Sequence, residues 1–265
     1  MAGSLVRKVD HVFVPLGAAE RGFRFLTETI ALPTAWPYDG YGAFASGGVG
    51  LGNANLEVLQ SSPAFPFSTA RTPARVQGIA FEPRPIDSTF LDDIDTRGIA
   101  HSPAMPFHGT RFGTTGLLWT NVFFAGLTDE RSVVFACEYA PGFSADSATR
   151  RATLRAVNGG RLGVEMVEEI VIGSRDPARA MAPWRRLLAP LEPVESGLWA
   201  IGDGPALRFV EAPADEVLSL VLRVHSLAAV SSAIRALGLN ADTTERGLRI
   251  APTSLEGLVL DLVPS

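Results

Sequence analysis

Short runs of alternating apolar and polar residues, each followed by apolar residues at helical spacing, recur four times along the chain. A period of two residues is typical of a half-buried strand, and a period near 3.6 is typical of an amphipathic helix. The first segment opens with a strand pattern over 9–14, continues with a helix over about 18–30, and ends in strands up to residue 60. The second segment opens at 77–81 and closes with a strand over 133–139. We therefore predict that each segment is a strand and a helix followed by further strands.

The third and fourth segments carry clear helix signals. They open with apolar strand patterns over 168–172 and 218–224. In the third segment, Asp176 is expected to cap a helix whose first residue is Pro177, a position where proline is favoured. In the fourth segment, Ser226 is expected to cap a helix in the same way. These signals extend the pattern of strand, helix and further strands to the end of the chain.

Four such units in series predict an α+β fold built by internal duplication. A stretch rich in Ala, Arg, Gly and Ser separates the second unit from the third and is the best candidate for a domain boundary. We predict an N-terminal domain over 1–141, a linker over 142–163 and a C-terminal domain over 164–265. Within the second unit, Asp87 is the expected N-cap of the helix and Gly98 its end.

Composition and charge restrict the class of protein. Hydrophobic residues make up 46% and charged residues 19% of the chain, as expected for a globular protein. The net charge of −5 predicts no electrostatic surface for nucleic acid. The single cysteine, Cys137, excludes an internal disulfide and a Cys-rich zinc site. The sequence has neither the roughly 18 consecutive apolar residues of a membrane-spanning helix nor a signal-peptide pattern, so we expect a cytoplasmic protein with no membrane partner.

A histidine and a glutamate lie within two predicted strands of the first unit. His11 lies in the apolar run at 10–14, and Glu57 lies in the run at 55–59 that follows a glycine-rich hairpin. Imidazole and carboxylate are ligands of divalent metals, so a shared cavity would make this pair a candidate metal site. The alternative for His11 is a hydrogen-bonded core histidine, and the alternative for Glu57 is a strand-end carboxylate that faces water.

The glycines in 47–52 and several aromatic residues give weaker signals. A glycine-rich loop that holds phosphate leads into a helix, whereas a strand follows this one, so we expect no nucleotide cofactor. Four aromatic residues are candidates for the wall of a cavity, with ordinary core packing as the alternative. They are Trp36, Tyr41, Phe44 and Trp119.

Several phrases of the sequence resemble the vicinal oxygen chelate superfamily, in particular its two-domain glyoxalase-like proteins. They are DHVFV at the start of the first unit, GLGNANLEVL at its end, and VNGG before EEIVIGSRDPARAMAPW at the start of the third. The resemblance implies four βαβββ modules that pair into two domains with cupped mixed sheets. It also implies that a divalent metal, held by the first and last strands of the paired modules, binds vicinal oxygens of a small-molecule substrate.

The resemblance also implies a set of metal ligands. The first-strand position of the first unit falls on His11, and the last-strand position falls on Glu57. The last strand of the second unit places Glu138 in the corresponding position as a third ligand. The first strand of that unit has Gly78 where a histidine is often found, which is a departure from the pattern of the superfamily.

Two further residues of the second unit are candidates for a fourth ligand or an acid–base group. Gln77 lies next to Gly78, although strand alternation points it to the opposite face unless a bulge intervenes. His108 lies in a loop-like stretch beside aromatic residues. The corresponding positions of the C-terminal half form a poor ligand set and imply a degenerate site; they are Glu169, Arg208, Ser219 and Asp261.

One histidine and two carboxylates form an oxygen-rich set suited to Mn²⁺, Fe²⁺, Zn²⁺ or Mg²⁺. Such an ion polarises a substrate oxygen, so our first hypothesis is a metal-dependent lyase or isomerase of the glyoxalase type. The set lacks the second histidine of O₂-activating iron sites, which disfavours the alternative of an extradiol-type dioxygenase. Another alternative is a metal-free protein that sequesters a small hydrophobic or aromatic molecule. A C-terminal half that mediates dimerisation would make a homodimer, so a second copy is among the expected partners.

Overall fold

The computed structural model describes residues 3–61, 70–111, 114–129, 131–143 and 146–265, and these residues form two mixed β-sheets. An eight-stranded sheet contains the strands of the first two units, and a seven-stranded sheet contains those of the last two. Both sheets are curled. Each therefore has a concave face that can enclose a cavity.

The eight-stranded sheet consists of two modules, each with one strand, one helix and three further strands. The first module supplies β1 (Val6–Pro15), β2 (Thr34–Gly40), β3 (Phe44–Gly50) and β4 (Asn55–Ser61). The second supplies β5 (Gly78–Pro83), β6 (Met105–Arg111), β7 (Thr114–Phe123) and β8 (Val133–Tyr139). The order across the sheet is β2-β3-β4-β1-β5-β8-β7-β6. The first strands of the two modules therefore lie side by side at the centre, each flanked by the last strand of its own module.

The helices of these modules follow their first strands. Helix α1 (Ala19–Arg24) continues as a π-helical turn over Phe25–Thr29, and α2 (Ser88–Thr96) follows Asp87. The Asp87 side chain accepts a hydrogen bond from the N–H of Phe90 at 2.9 Å. The predicted N-cap of this helix is thus confirmed.

The seven-stranded sheet is built by the third and fourth modules. Its strands are β9 (Val164–Ser174), β10 (Leu198–Trp199), β11 (Ala206–Glu211), β12 (Glu216–Val224), β13 (Ala241–Thr243), β14 (Leu248–Ile250) and β15 (Leu260–Pro264), in the order β10-β11-β9-β12-β15-β14-β13. Its helices are α4 (Pro177–Leu188) and α5 (Leu227–Ala236). Asp176 and Ser226 cap them, as predicted. The third module has two strands after its helix in place of three.

Another helix, which we label by its position in the chain as α3 (Ser147–Ala156), lies within the predicted linker. The side chain of Asp146 caps it by accepting from the N–H of Thr149 at 2.7 Å. The helix buries Leu154 together with the polar side chains of Ser147 and Arg150. With one buried apolar side chain it lacks the stripe by which a helix is recognised in a sequence, and the pattern did not predict it.

Hydrogen bonds join the two halves of the molecule. The buried Asn53, in the loop after β3, donates to the carbonyl of Val167 at 2.8 Å and accepts from its N–H at 2.9 Å. The carboxylate of Glu256 accepts from the backbone N–H groups of Gly17 and Ala18, which immediately precede α1. Since the first N–H groups of a helix have no intrahelical partner, the C-terminal half caps a helix of the N-terminal half.

Buried apolar side chains form one large cluster that runs through both halves. A smaller cluster lies on the other face of the eight-stranded sheet and contains Phe13, Ala80, Val133, Phe135 and Cys137. The predicted α+β fold of paired modules with two curled mixed sheets is confirmed. Among the described residues, no helix is both long and apolar enough to cross a membrane.

Candidate small-molecule site

A cavity of about 260 Å³ lies on the face of the eight-stranded sheet that carries the smaller apolar cluster. Alternate residues of a strand point to the same face, so odd-numbered residues of the central strands form its floor. They are His11 and Phe13 of β1, Glu57 and Leu59 of β4, and Val133, Phe135, Cys137 and Tyr139 of β8. The even-numbered Val12, Val58 and Val134 of the same strands belong to the main core.

Aromatic side chains form much of the cavity wall. Trp119 of β7 and Phe107 of β6 stack with their ring centroids 4.5 Å apart and their planes at 2°. Tyr41 packs edge-on against Trp119 at 5.7 Å and stacks with Phe44 at 5.3 Å. Trp36, which is 5% exposed, also lines the cavity. The structure places all four aromatic residues proposed from the sequence in this wall, where their rings can contact an apolar ligand.

Two charged side chains orient His11. Its Nδ1 atom lies 2.8 Å from Oδ2 of Asp10, and the guanidinium of Arg150, from α3, pairs with the other oxygen of Asp10. Arg150 also donates to the backbone carbonyl of Asp10 at 3.0 Å. The three side chains are buried. The register between β1 and β5 shifts between Val9 and His11, and this irregularity allows the adjacent side chains of Asp10 and His11 to meet.

The charge of Asp10 determines which nitrogen of His11 carries the proton. Burial would raise the pKa of the Asp10 carboxyl, but the charge of Arg150 and hydrogen bonds from His11 and Arg150 outweigh it and hold that pKa well below its usual range. Asp10 is therefore ionised near neutral pH and can only accept hydrogen bonds. The Nδ1 atom of His11 must be the donor, which leaves a lone pair on Nε2 when the imidazole is neutral.

Glu57 stands opposite this lone pair. Its Oε2 atom lies 3.6 Å from Nε2 of His11, and its side chain is 11% exposed. A lone pair and a carboxylate oxygen that face the same space attract a proton, the hydrogen-bond donor of a ligand, or a cation. The pair can therefore hold a polar group of a ligand and exchange a proton with it.

Glu138 lies on the opposite face of β8. Its neighbours Cys137 and Tyr139 point into the cavity, and Glu138 between them alternates away. Its Oε2 atom accepts a hydrogen bond from the N–H of Ile86 at 3.0 Å. The structure therefore does not bring Glu138 to the other two proposed ligands. The prediction of Glu138 as the third metal ligand is therefore wrong by one residue along β8, because adjacent residues of a strand point to opposite faces.

Phe13 occupies the place from which a ligand on β5 would point into the cavity. It pairs with Gly78 across the two central strands. A Cβ atom on Gly78 would lie 1.8 Å from Cδ1 of the Phe13 ring. Glycine at this position thus allows the ring to lie directly on the backbone of β5.

The two candidates for a fourth ligand or acid–base group are not among the described residues that line the cavity. Gln77 is buried beside β5. His108 is exposed on β6, a strand where the sequence suggested a loop. Its neighbour Phe107 points into the cavity, so alternation directs His108 elsewhere.

The side chains at the floor of the cavity could supply two ligands of a metal ion. His11 and Glu57 are close enough to share an ion, since metal–nitrogen and metal–oxygen bonds are about 2.0–2.2 Å long. In the part of the chain that the structure describes, no three His, Cys, Asp or Glu side chains converge as a metal site would require. Catalytic zinc sites usually have three protein ligands, so the donor set falls short of the predicted one.

Three polar residues of the site were not identified from the sequence. Asp10 precedes His11 in the sequence. Metal-binding histidines commonly donate a hydrogen bond to a carboxylate, so an aspartate beside the candidate histidine could have identified it. Asn121 lines the cavity, and its Oδ1 atom is buried with no hydrogen-bond partner among the described atoms. Arg150 belongs to the predicted linker, and nothing local in the sequence connects it with His11.

The corresponding part of the second sheet contains a cluster of ion pairs. Glu169 of β9 accepts two hydrogen bonds from Arg208 at 2.8 Å, and two from Arg246 at 2.8 and 3.3 Å. Burial would raise the pKa of Glu169, but these hydrogen bonds and the charges of the two arginines outweigh it and lower that pKa. The carboxylate at this position is therefore neutralised by cations of its own half.

No protein-family model matches the sequence, and no curated protein matches it. Solved structures do match. A hypothetical protein from Staphylococcus aureus matches with a TM-score of 0.63 and 10% identity, over 97% of this chain and 99% of that one. The 2,3-dioxygenase LapB from Pseudomonas sp. KL28 matches with a TM-score of 0.60 and 14% identity, over 100% and 94%. The Mn(II)-bound glyoxalase from Novosphingobium aromaticivorans matches with a TM-score of 0.61 and 11% identity, over 99% and 83%.

The chain therefore has the fold of these solved structures, which agrees with the fold expected from the resemblance seen in the sequence. The likeness extends over both halves of the chain. At identities of 10–14% it concerns the architecture, so the chemistry has to be inferred from the side chains of the cavity.

Proposed function

We propose that the N-terminal cavity binds a small molecule that has a flat apolar part and a polar group. The observation that carries this proposal is the combination of an aromatic wall with His11 and Glu57 at the floor. Small-molecule sites are mostly apolar and contain a few polar groups that fix the orientation of the ligand. The volume of about 260 Å³ lies just below the typical range of roughly 300–1,000 Å³, which suits a ligand built around one ring.

His11 and Glu57 would bind the polar group of this ligand. Because Asp10 engages Nδ1 of His11, the Nε2 atom is the one available to accept a hydrogen bond from the ligand. A hydroxyl group between Nε2 and the Glu57 carboxylate could donate to either, and either could take its proton. The apolar surroundings strengthen such hydrogen bonds relative to water.

Calorimetric titration with toluene tests the aromatic part of the proposal. We expect wild-type protein to bind toluene and Trp119→Ala to bind it at least about fivefold more weakly, since an aromatic contact contributes beyond its buried area. Leu117→Ala is the matched control, because Leu117 is an exposed residue of the same strand. Absence of toluene binding, or equal affinities of the two variants, would reject the proposed site.

Phenol tests the polar part, since it adds one hydroxyl to a similar ring. In Glu57→Leu, the dissociation constant for phenol should rise about tenfold relative to that for toluene, because a hydrogen bond to a charged group is lost. An unchanged ratio of the two constants would show that Glu57 takes no part in binding.

A metal-dependent enzyme of the lyase or isomerase type is the second candidate. It is favoured by the 3.6 Å between His11 and Glu57, and by Asp10 behind His11, an arrangement typical of metal-bound histidines. The similar glyoxalase from Novosphingobium aromaticivorans is Mn(II)-bound. This candidate lacks a third protein ligand among the described residues that line the cavity. An extradiol-type dioxygenase would need two histidine ligands, and the described lining contains one histidine, His11.

Metal content separates the two candidates. The protein should be purified without chelators and without an immobilised-metal column, both as wild type and as His11→Ala. Stoichiometric metal in the wild type that disappears in the variant would support the enzyme. Wild-type protein that contains no bound metal would reject it and leave the metal-free binding site.

A further inference from the structure

A second, smaller cavity adjoins the first. Its volume is about 120 Å³, and residues of β2, β4 and α3 line it. Trp36 and Tyr139 line both cavities, so the two spaces meet at these side chains. Each forms a hydrogen bond at the long end of the usual range, Trp36 with Ser46 and Tyr139 with His11, both at 3.5 Å. These two side chains therefore lie where an arm of a ligand would pass from one cavity to the other.

Asn55 gives the second cavity an acceptor. It lies on the same face of β4 as Glu57, and it is the register partner of His11 on the neighbouring strand. The residue is 5% exposed, and its Oδ1 atom is buried without a hydrogen-bond donor among the described atoms. Buried side-chain oxygens nearly always have a donor, and a group bound in the cavity would supply one here.

We propose that the two cavities form one bipartite site in which Asn55 accepts a hydrogen bond from an arm of the ligand. The inference rests on the proposed function, because the ring of the ligand occupies the first cavity. The arm passes Trp36 and Tyr139 and ends in an uncharged donor such as an alcohol or an amide N–H. A cationic end would meet the guanidinium of Arg150. A carboxylate end has no hydrogen to donate to Asn55, and the charge of Arg150 is already paired with Asp10.

Four probes test this arrangement by calorimetry. Toluene reports on the ring alone, 3-phenylpropan-1-ol adds an arm with a donor, its methyl ether has the same arm without a donor, and 3-phenylpropanoate has a charged end. The proteins are wild type, Asn55→Leu, which removes the acceptor, and the matched variant Asn55→Asp, which keeps it. Thermal unfolding and toluene binding establish that each variant is folded.

We expect wild-type protein to bind the alcohol about threefold to tenfold more tightly than the ether, as expected for one net hydrogen bond. Asn55→Leu should lose this preference while its affinity for toluene is unchanged, and Asn55→Asp should keep it. Equal binding of alcohol and ether by the wild type, a preference that survives in Asn55→Leu, or tighter binding of the carboxylate would each overturn the inference.

The results also separate this inference from the function on which it rests. Toluene binding without a preference for the alcohol refutes the bipartite site and leaves the first cavity as a ligand site. Failure of the wild type to bind any probe refutes both. If Asn55→Leu does not fold, the preference of wild type and Asn55→Asp for the alcohol over the ether and the carboxylate decides the matter.

Discussion

Arg150 acts on the cavity through Asp10, although it belongs to a helix outside the sheet. Asp10 and Arg150 are both almost completely buried, and the ionised state of Asp10 keeps the proton of neutral His11 on Nδ1. Removal of one partner of a buried pair leaves the other charge without compensation in a medium that solvates it poorly. The arginine therefore contributes both to stability and to the orientation of the histidine.

Replacement of Arg150 by methionine should lower the free energy of unfolding by about 3–5 kcal/mol, because the charge of Asp10 stays buried without its cation. Chemical denaturation measures this quantity. Arg151→Met is a matched control from the same helix, since the ion pair of Arg151 with Asp203 is largely exposed and contributes about 0–1 kcal/mol. Equal losses in the two variants would contradict the role assigned to Arg150.

Gly78 is required by its contact with the ring of Phe13. A methyl group at this position would collide with the ring of Phe13, so Gly78→Ala should lower the free energy of unfolding by about 1–3 kcal/mol. Gly126→Ala should change it by less than about 0.5 kcal/mol, because nothing lies within 4 Å of the added atom. Denaturation curves of both variants measure these changes. Equal free energies of unfolding would show that the Phe13 ring moves aside at little cost.

At the scale of elements, the features that depend on neighbouring residues could be predicted from the sequence. The caps Asp87, Asp176 and Ser226 each bind an N–H three residues away, so the information lies within one helical turn. The order of strands and helices, and with it the fold, follows from the same local patterns. Helix α3 escaped prediction because its buried contacts include a polar serine and an arginine.

The proposed metal ligands could be predicted correctly only where they share one module. His11 and Glu57 lie on the first and last strands of the first module, which pair directly. The position of Glu138 depends on how β8 pairs with β5 and β7, and such long-range register is not encoded in a few neighbouring residues. The link from Arg150 to Asp10 is likewise long-range.

The face of β8 on which Glu138 lies leads to a further prediction. Glu138→Leu should leave the affinity for toluene unchanged within about twofold, and lose about 1–3 kcal/mol of stability because the N–H of Ile86 loses its acceptor. Tyr139→Ala, the next residue on the cavity face, should weaken toluene binding. Calorimetry of both variants is the measurement. A strong effect of Glu138→Leu on binding would restore this residue to the cavity.

At the scale of the whole molecule, the two sheets share one architecture and differ in the chemistry of equivalent positions. In the first sheet, two acceptors face a cavity; in the second, a carboxylate is held by two arginines. We propose that the N-terminal domain, 1–141, carries the ligand site and that the C-terminal domain, 164–265, supports it. The segment 142–163 between them is more than a connector, because it supplies Arg150.

The ion-pair cluster of the second sheet predicts how stability depends on pH. The pKa of Glu169 is lowered in the folded protein, whereas an unfolded glutamate titrates near about 4.3. The stabilisation that Glu169 gains from Arg208 and Arg246 is therefore fully present above the unfolded value and is lost as the pH falls through the lower folded value. The difference in unfolding free energy between wild type and Glu169→Gln should thus be constant from about pH 8 to 6 and shrink below about pH 4.

Urea denaturation over this pH range measures the difference. Glu195→Gln is the control, since Glu195 contacts Arg208 on its exposed side. A difference that stays constant down to about pH 3 would show that the two arginines do not hold Glu169 in its charged form.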